Sequence, residues 1–321
     1  MPCSYQQLTY EERCQIMALK ERGDCPSRIA NQLNRHRSTI SRELKRNSHQ
    51  YQYLSTQAER MAKGRRHRKA TKMTPDLISL IETKLNIQWS PAQISGRLKL
   101  GGVHISHETI YKYLRRDKKN GGYLYKQLRH SGKKYNRRNK VSASRGCIPN
   151  RVDIDKRPAI VEEKSRVGDW ELDTIIGAEH EGVIISMVDR HSKLTYLVKV
   201  PRKTAEIVQT GIINKLLSIK DFVHTLTADN GKEFAQHEQI ARLLEADFFF
   251  AKPYHSWERG LNEHTNGLVR QYLPKGTKFS NCTQEQLDII EALLNERPRK
   301  VLQFRTPQEV FCEWRLIHGI T

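Results

Sequence analysis

The 321 residues carry 56 Lys and Arg against 35 Asp and Glu, a formal net charge of +21, with six cysteines. A chain of this length has room for two or three domains, each with its own core. No run approaches the ~18 apolar residues of a membrane-spanning helix, and the cysteines form neither a Cys-x-x-Cys pair nor a zinc-ligand pattern with histidine. The N-terminal Met1-Pro-Cys-Ser-Tyr-Gln-Gln7 has no apolar signal core, so the expectation is a reducing, cytosolic setting with access to DNA.

Charge is divided between the halves. Residues 1–160 hold 35 Lys and Arg against 12 Asp and Glu, an excess of 23, whereas residues 161–321 hold 21 against 23. Positive charge concentrated in this way suits a polyanion, because release of condensed counterions drives tight, salt-dependent binding.

In chain order, Thr9-Tyr-Glu-Glu12 predicts a capping box at a first helix that stops at the turn Arg22-Gly-Asp24. Pro26 starts a second helix, and Arg37-Ser-Thr-Ile-Ser-Arg-Glu-Leu-Lys-Arg46 makes a third after Asn34-Arg-His36. Ile40 and Leu44 give the third helix an inward side. Its outward side carries Arg37, Ser38, Thr39, Ser41, Arg42 and Lys45, a polar face suited to the major groove. A plain three-helix bundle with a solvated face is the competing reading.

The pattern returns further along, in architecture only. Ile78, Ile81 and Leu85 mark one helix, Trp89-Ser-Pro-Ala-Gln-Ile94 opens another with Ser90 as cap, and Ser106-His-Glu-Thr-Ile-Tyr111 opens a third. In that last helix Ile110 and Leu114 point inward, and His107, Thr109, Lys112 and Arg115 outward. Lys63-Gly-Arg-Arg-His-Arg-Lys69 and Lys133-Lys-Tyr-Asn-Arg-Arg-Asn-Lys140 read as flexible basic linkers able to lie along phosphates. The expected organisation is a helix-turn-helix domain at 1–62, a linker at 63–74, a second helix-turn-helix-like domain at 75–130, a linker at 131–160 and a catalytic domain at 161–321.

From Gly168 onward the period changes to strands at 169–176, 183–189 and 194–200. A helix follows at 204–220, then a strand at 223–228, a helix at 232–245 and a strand at 247–251. A last helix begins after Gly260. Asp173 lies in the first strand, Asp229 ends the fourth before the turn pair Asn230-Gly231, and Glu263 lies on the last helix. Three carboxylates placed on two strand ends and a helix suit hard divalent cations. Two such ions about 3.5–4 Å apart can clamp the attacking and leaving oxygens of a phosphodiester.

Gly168-Asp-Trp-Glu-Leu-Asp173, Thr227-Ala-Asp-Asn-Gly231, Ser256-Trp-Glu-Arg-Gly-Leu-Asn-Glu-His-Thr-Asn-Gly267, Leu294-Asn-Glu-Arg-Pro-Arg-Lys300 and Thr306-Pro-Gln-Glu309 follow one another in order. With Ser38-Thr-Ile-Ser-Arg-Glu-Leu44 and Trp89-Ser-Pro-Ala-Gln-Ile94, they resemble bacterial insertion-sequence transposases of the IS-thirty family nearly end to end. The 34-residue interval from Asp229 to Glu263 matches that family's spacing. The resemblance implies a DDE transposase with an α/β ribonuclease-H-like catalytic domain, a mixed five-stranded sheet with flanking helices, preceded by all-α helix-turn-helix units. It implies Asp173, Asp229 and Glu263 as catalytic metal ligands for two Mg²⁺ or Mn²⁺ ions. It implies terminal inverted repeats and target DNA as partners, a homodimer or larger assembly on DNA, a bacterial cytosolic location, and neither a membrane nor a small-molecule substrate.

Some residues stay open at this stage. Glu171 and Asp169 share a strand face with Asp173, so Glu171 is the natural substitute for it, and Glu258 competes with Glu263. Arg270, seven residues after Glu263, shares its helix face and is a candidate to hold a DNA phosphate. Asn262 and Asn266 are candidates for hydrogen bonds near the scissile phosphate, and Tyr254, His255 and Trp257 for stacking on DNA ends. A DNA-binding regulator, a stand-alone nuclease and an inactive relative are the alternatives. The first leaves the acids without a purpose, the second leaves two DNA-reading units unexplained, and the third would ordinarily lack one of the acids.

Overall fold

The computed structural model describes residues 7–48, 52–70, 73–129, 148–252 and 260–318. The chain divides into two compact units, residues 1–78 and 79–321.

In the first unit, α1 (Tyr10–Glu21) starts at the predicted capping box, in which the Thr9 hydroxyl accepts from the Glu12 amide and the Glu12 carboxylate accepts from the Thr9 amide. α2 (Pro26–Gln32) and α3 (Arg37–Asn47) follow, turned by Asn34 in the left-handed region at φ 48°. Ile16, Ile29, Ala30, Ile40 and Tyr53 close the core. An ionic knot lies within it. Arg13 pairs with Glu43 and with Glu59, each at 2.7 Å, and the Tyr53 hydroxyl donates to Glu43 at 3.0 Å. Burial beside Glu43 pushes the Tyr53 hydroxyl far above its ordinary pKa.

α4 (Ser55–Ala70) corrects the sequence reading, since residues 63–70 continue a helix instead of forming a flexible linker. Lys, Arg and Ala are good helix formers, and Lys63 pairs with Glu59 one turn back at 3.2 Å.

The second unit begins within α5 (Pro75–Asn86), whose Ile81 and Leu85 are buried. α6 (Pro91–Leu100) has the expected Ser90 cap, completed by Gln93, and α7 (His107–Lys119) the Ser106 cap. These helices share one compact unit with the α/β core. Gln93 Nε2 donates to the Pro298 carbonyl at 2.9 Å, Arg297 Nε donates to Gln93 Oε1 at 3.0 Å, and Arg97 pairs with Glu309. Gly96 makes the approach possible, because a Cβ there would lie 2.2 Å from the Phe304 ring.

The second expected linker is only partly described. Residues 131–147 lie outside the described residues, but 148–160 are structured. Ile148 and Ile154 are buried, Phe250 donates its amide to the Val152 carbonyl at 2.9 Å, and α8 (Ala159–Glu163) follows with Val161 buried. A reading based on charge passed over Ile148 and Ile154.

β1 (Asp169–Ile176), β2 (Val183–Asp189) and β3 (Thr195–Val200) form an antiparallel meander, while β4 (Thr225–Ala228) and β5 (Asp247–Phe250) add in parallel on the other side of β1. The strand order is β3-β2-β1-β4-β5, a mixed five-stranded ribonuclease-H-like sheet. The intervening helices are shorter than the sequence pattern suggested. α9 (Ala205–Leu216) runs on as a 3₁₀ turn, and α10 (His237–Leu244) is preceded by another at Lys232–Phe234.

Strand alternation sorts the two faces. Trp170 and Leu172 join Val208, Ile212 and Ile240 in one core. Ile175, Ile184 and Leu197 meet Leu268 of α11 (Gly260–Tyr272) and Leu287 and Ile290 of α12 (Gln284–Asn295) in the other. α13 (Pro307–Ile317) sends Phe311 into the first core. At about 1.5–3 kcal/mol per fully buried large apolar side chain, these two layers fix β1 rigidly between them.

Candidate active site and DNA-reading helix

The face of β1 that carries Ile175 also carries Glu171 and Asp173, carboxylates where packing alone would call for apolar residues. The parallel register of β1 and β4 runs Asp169 opposite Thr225, Trp170 opposite Leu226 and Glu171 opposite Thr227. Continued by two residues, it sets Asp229 opposite Asp173. Neighbouring strands lie about 4.8 Å apart, so the two aspartates come side by side, both half-buried. Asp229 turns the chain as well, since its Oδ1 accepts from the Gly231 amide at 2.9 Å.

α11 runs along β1 over this face. The Asn262 amide donates to Glu171 Oε2 at 3.3 Å, and the Asn266 side chain donates to Asp173 Oδ2 at 2.6 Å. Four helical residues rise about 6 Å and two strand residues about 6.6 Å, so the two ladders stay in step. Ser186, opposite Asp173 on β2, donates to Asn266 Oδ1 at 2.9 Å. That second bond fixes which end of the Asn266 amide faces Asp173. Glu263 precedes Asn266 by three residues on the same side of α11 and is exposed. Among the described residues, no three His, Cys, Asp or Glu side chains are gathered tightly enough to hold an ion. The continued register sets Asp173 beside Asp229, and Glu263 stands exposed on α11, outside any such group.

The competing acids have other work. Glu171 is buried and accepts from Arg190 Nη1 at 2.8 Å, while Asp169 is buried and held by Arg166 at 3.0 Å and by the Thr225 hydroxyl at 2.8 Å. Glu258, Tyr254, His255 and Trp257 lie outside the described residues. The Asn262 side chain is buried with neither amide atom hydrogen-bonded among the described residues. Arg270 donates to the Ile176 carbonyl at 2.7 Å and stacks over Phe279 at 5.1 Å, and burial lowers its pKa. It ties α11 to the end of β1 in addition to any phosphate it meets.

On α3, Arg37, Ser41, Arg42 and Lys45 are exposed and Ser38 and Thr39 half-buried, while Ile40, Glu43 and Asn47 face inward. Arg42 Nε donates to the Ser38 carbonyl at 2.9 Å and Nη2 to its hydroxyl at 2.5 Å. Lys112 is exposed on α7. Sequence reasoning missed Ser186 and Arg190, neither of which stands in a recognisable motif. Their roles arise from strand pairing and from contacts across long stretches of chain.

A helix-turn-helix domain family matches residues 4–47. The transposase for insertion sequence element IS4351 of Bacteroides fragilis is 46% identical over 309 residues, 95% of each chain. The transposase InsI for insertion sequence element IS30A of Escherichia coli K12 is 36% identical over 321 residues, 94% of this chain and 82% of that one.

The chain belongs to the IS30 family of insertion-sequence transposases.

The transposase for insertion sequence element IS1086 of Cupriavidus metallidurans is a further relative, 37% identical over 95% of its own length and 96% of this chain. The catalytic core domain of BIV integrase is 22% identical, with 47% of this chain and 97% of that one aligned at a TM-score of 0.37. In this IS30-family transposase no helix among the described residues is long and apolar enough to cross a membrane.

Proposed function

We propose that this IS30-family transposase cuts DNA at the terminal inverted repeats of its element and joins the freed 3′ ends to a target. Asp173, Asp229 and Glu263 would hold the divalent ions, Mg²⁺ or Mn²⁺. What supports this reading is the β1–β4 register, which pairs Glu171 with Thr227 and, continued by two residues, brings two half-buried aspartates side by side. Adjacent carboxylates repel one another unless a proton or a cation lies between them, and oxygen donors of this kind suit Mg²⁺. Bound ions would lower the cost of forming the attacking oxyanion and of releasing the leaving one.

The chain's own residues supply position. Asn266, oriented by Ser186, holds one oxygen of Asp173 in place. The Asx turn at Asp229–Gly231 holds the second acid at the strand end. Arg37, Ser38, Thr39, Ser41, Arg42 and Lys45 would read the inverted repeat from the major groove, and Lys112 would meet phosphate. Two element ends must be joined, which calls for at least two copies of the chain on the DNA.

The test is an end-cleavage and strand-transfer reaction on a plasmid carrying the element's two ends, with Mg²⁺ and with chelator. Wild-type protein should yield joined products only with metal, and Asp229→Asn and Glu263→Gln should bind the ends but yield none. Joined products from either variant at the wild-type rate would refute the assignment.

A further inference from the structure

Beside α11 the second unit holds arginines that pair with no carboxylate among the described residues. Arg297 is 2% exposed and Arg299 7%, yet their hydrogen bonds go to neutral groups, Arg297 to Gln93 and Gln271 and Arg299 to the Leu294 carbonyl. The Arg299 Nε is buried without a partner among the described residues. Arg129 is half-buried and makes no ion pair among the described residues. Burial lowers the pKa of all three arginines, that of Arg299 to about 10. Uncompensated charge in a protein interior is costly, and the cost is recovered when an anion arrives.

Two cavities adjoin this charge and share Leu128 and Arg129 in their walls. One, of about 540 Å³, is lined by Lys118, Tyr125, Arg129, His264 and Arg297 among others. The other, of about 500 Å³, is lined by Lys126, Arg129, Arg270 and Lys275 among others. Arg129 lies against α11 at Gly267, where a Cβ would stand 2.5 Å from its Nη2. From His264 to Tyr272 α11 rises about 12 Å, the axial length over which one strand of B-form DNA presents three to four phosphates. Tyr111 and Tyr125 line one wall, and Lys118 lies over the Tyr125 ring at 4.6 Å, which brings a further positive charge to the cavity.

We infer that the two cavities form one groove for the sugar-phosphate backbone of a DNA strand, with Arg129 as its central phosphate contact, leading along α11 to Glu263. Two cavities sharing one arginine, rather than one closed around it, select a strand over a single small anion. Gly267 keeps the place that Arg129 occupies. This rests on the transposase reading above but is separable from it.

The experiment uses the full chain and measures affinity for an element-end duplex as salt rises from about 50 to about 200 mM. Each lost phosphate contact reduces the salt slope by about one. Wild-type affinity should therefore fall about 3.5-fold further across that range than that of Arg129→Gln. Gly267→Ala keeps the arginine but displaces it. It should show the same reduced slope with an unchanged or raised Tm, since alanine favours the helix. Reduced slopes in both variants, with folding intact, support the groove. An unchanged slope in Arg129→Gln overturns it, and if wild-type protein still joins ends in the same preparation the transposase reading stands without it. Inorganic phosphate provides the last arm. A phosphate-dependent rise in Tm that Arg129→Gln abolishes, with DNA binding unaltered, would assign the site to a free anion and overturn the strand proposal.

Discussion

Glu171→Gln separates architecture from chemistry on β1. In the wild type, Glu171 and Arg190 form an ion pair whose side chains are each 3% exposed, and the second Glu171 oxygen accepts the Asn262 amide at the start of α11. Removing one charge from a buried pair costs about 3–5 kcal/mol, because the partner stays buried and unpaired. Arg190 retains Glu162 at 3.0 Å, but that carboxylate is 63% exposed and solvent screens much of its help. A loss near 3 kcal/mol follows. For a unit of 150–250 residues each kcal/mol shifts Tm by about 2–4 °C, so residues 79–321 should melt about 6–12 °C lower. Calorimetry reads the transition, and single-turnover cleavage well below it reads the chemistry. Folded Glu171→Gln should retain cleavage, whereas Asp173→Asn should keep its Tm within a few degrees and lose roughly 10³-fold or more in rate. A Glu171→Gln protein as stable as wild type but inactive would exchange the roles of these two residues and refute the register argument.

Three further outcomes are expected. Arg42→Ala on α3 should weaken binding to the element end by about 1–3 kcal/mol and relax specificity at one position, as measured by competition among mutated end sequences. Gly96→Ala should destabilise residues 79–321 by about 1–3 kcal/mol through collision with the rigid Phe304 ring. Helix propensity alone predicts a gain of up to about 1 kcal/mol, so the sign of the Tm shift decides between the two effects. Burial, partly offset by Asp189, lowers the Lys193 ammonium from 10.5 to about 8. Between those values the unfolded chain binds the proton that the folded chain has released, so stability should rise as pH increases from about 8 toward 10.5. Lys193→Met should flatten that part of the profile, and an identical pH profile in the variant would refute the assignment.

The parts of this molecule legible in sequence are those written in short-range code. Capping boxes at Thr9 and Ser90, the Ser106 cap, the alternation along 169–176 and the Asn230-Gly231 turn each depend on residues within a few positions, and each stands where the pattern placed it. Lys63–Ala70 departs from the linker reading because a run of like charge resembles a linker, while helix propensity and the Glu59–Lys63 pair extend α4 through it. Glu171 could not be separated from Asp173 by periodicity, since both face one way. The distinction lies in Arg190, nineteen residues on, and in Asn262 and Asn266 on α11. The positive groove was invisible for the same reason, because Arg129, Gly267 and Arg297 are scattered along the chain and meet only in the fold.

The bond from Gln93 to the Pro298 carbonyl spans 205 residues, and that interval is also a delay. At about 5–20 residues per second, a ribosome that has made α6 works for roughly 10–40 s before the segment that fastens it exists. The three-helix core closed by Ile16, Ile29 and Ile40 needs nothing beyond residue 78. Each nascent molecule therefore passes through a period in which its DNA-reading helices are complete and its cutting centre is not, and synthesis itself orders recognition before cleavage.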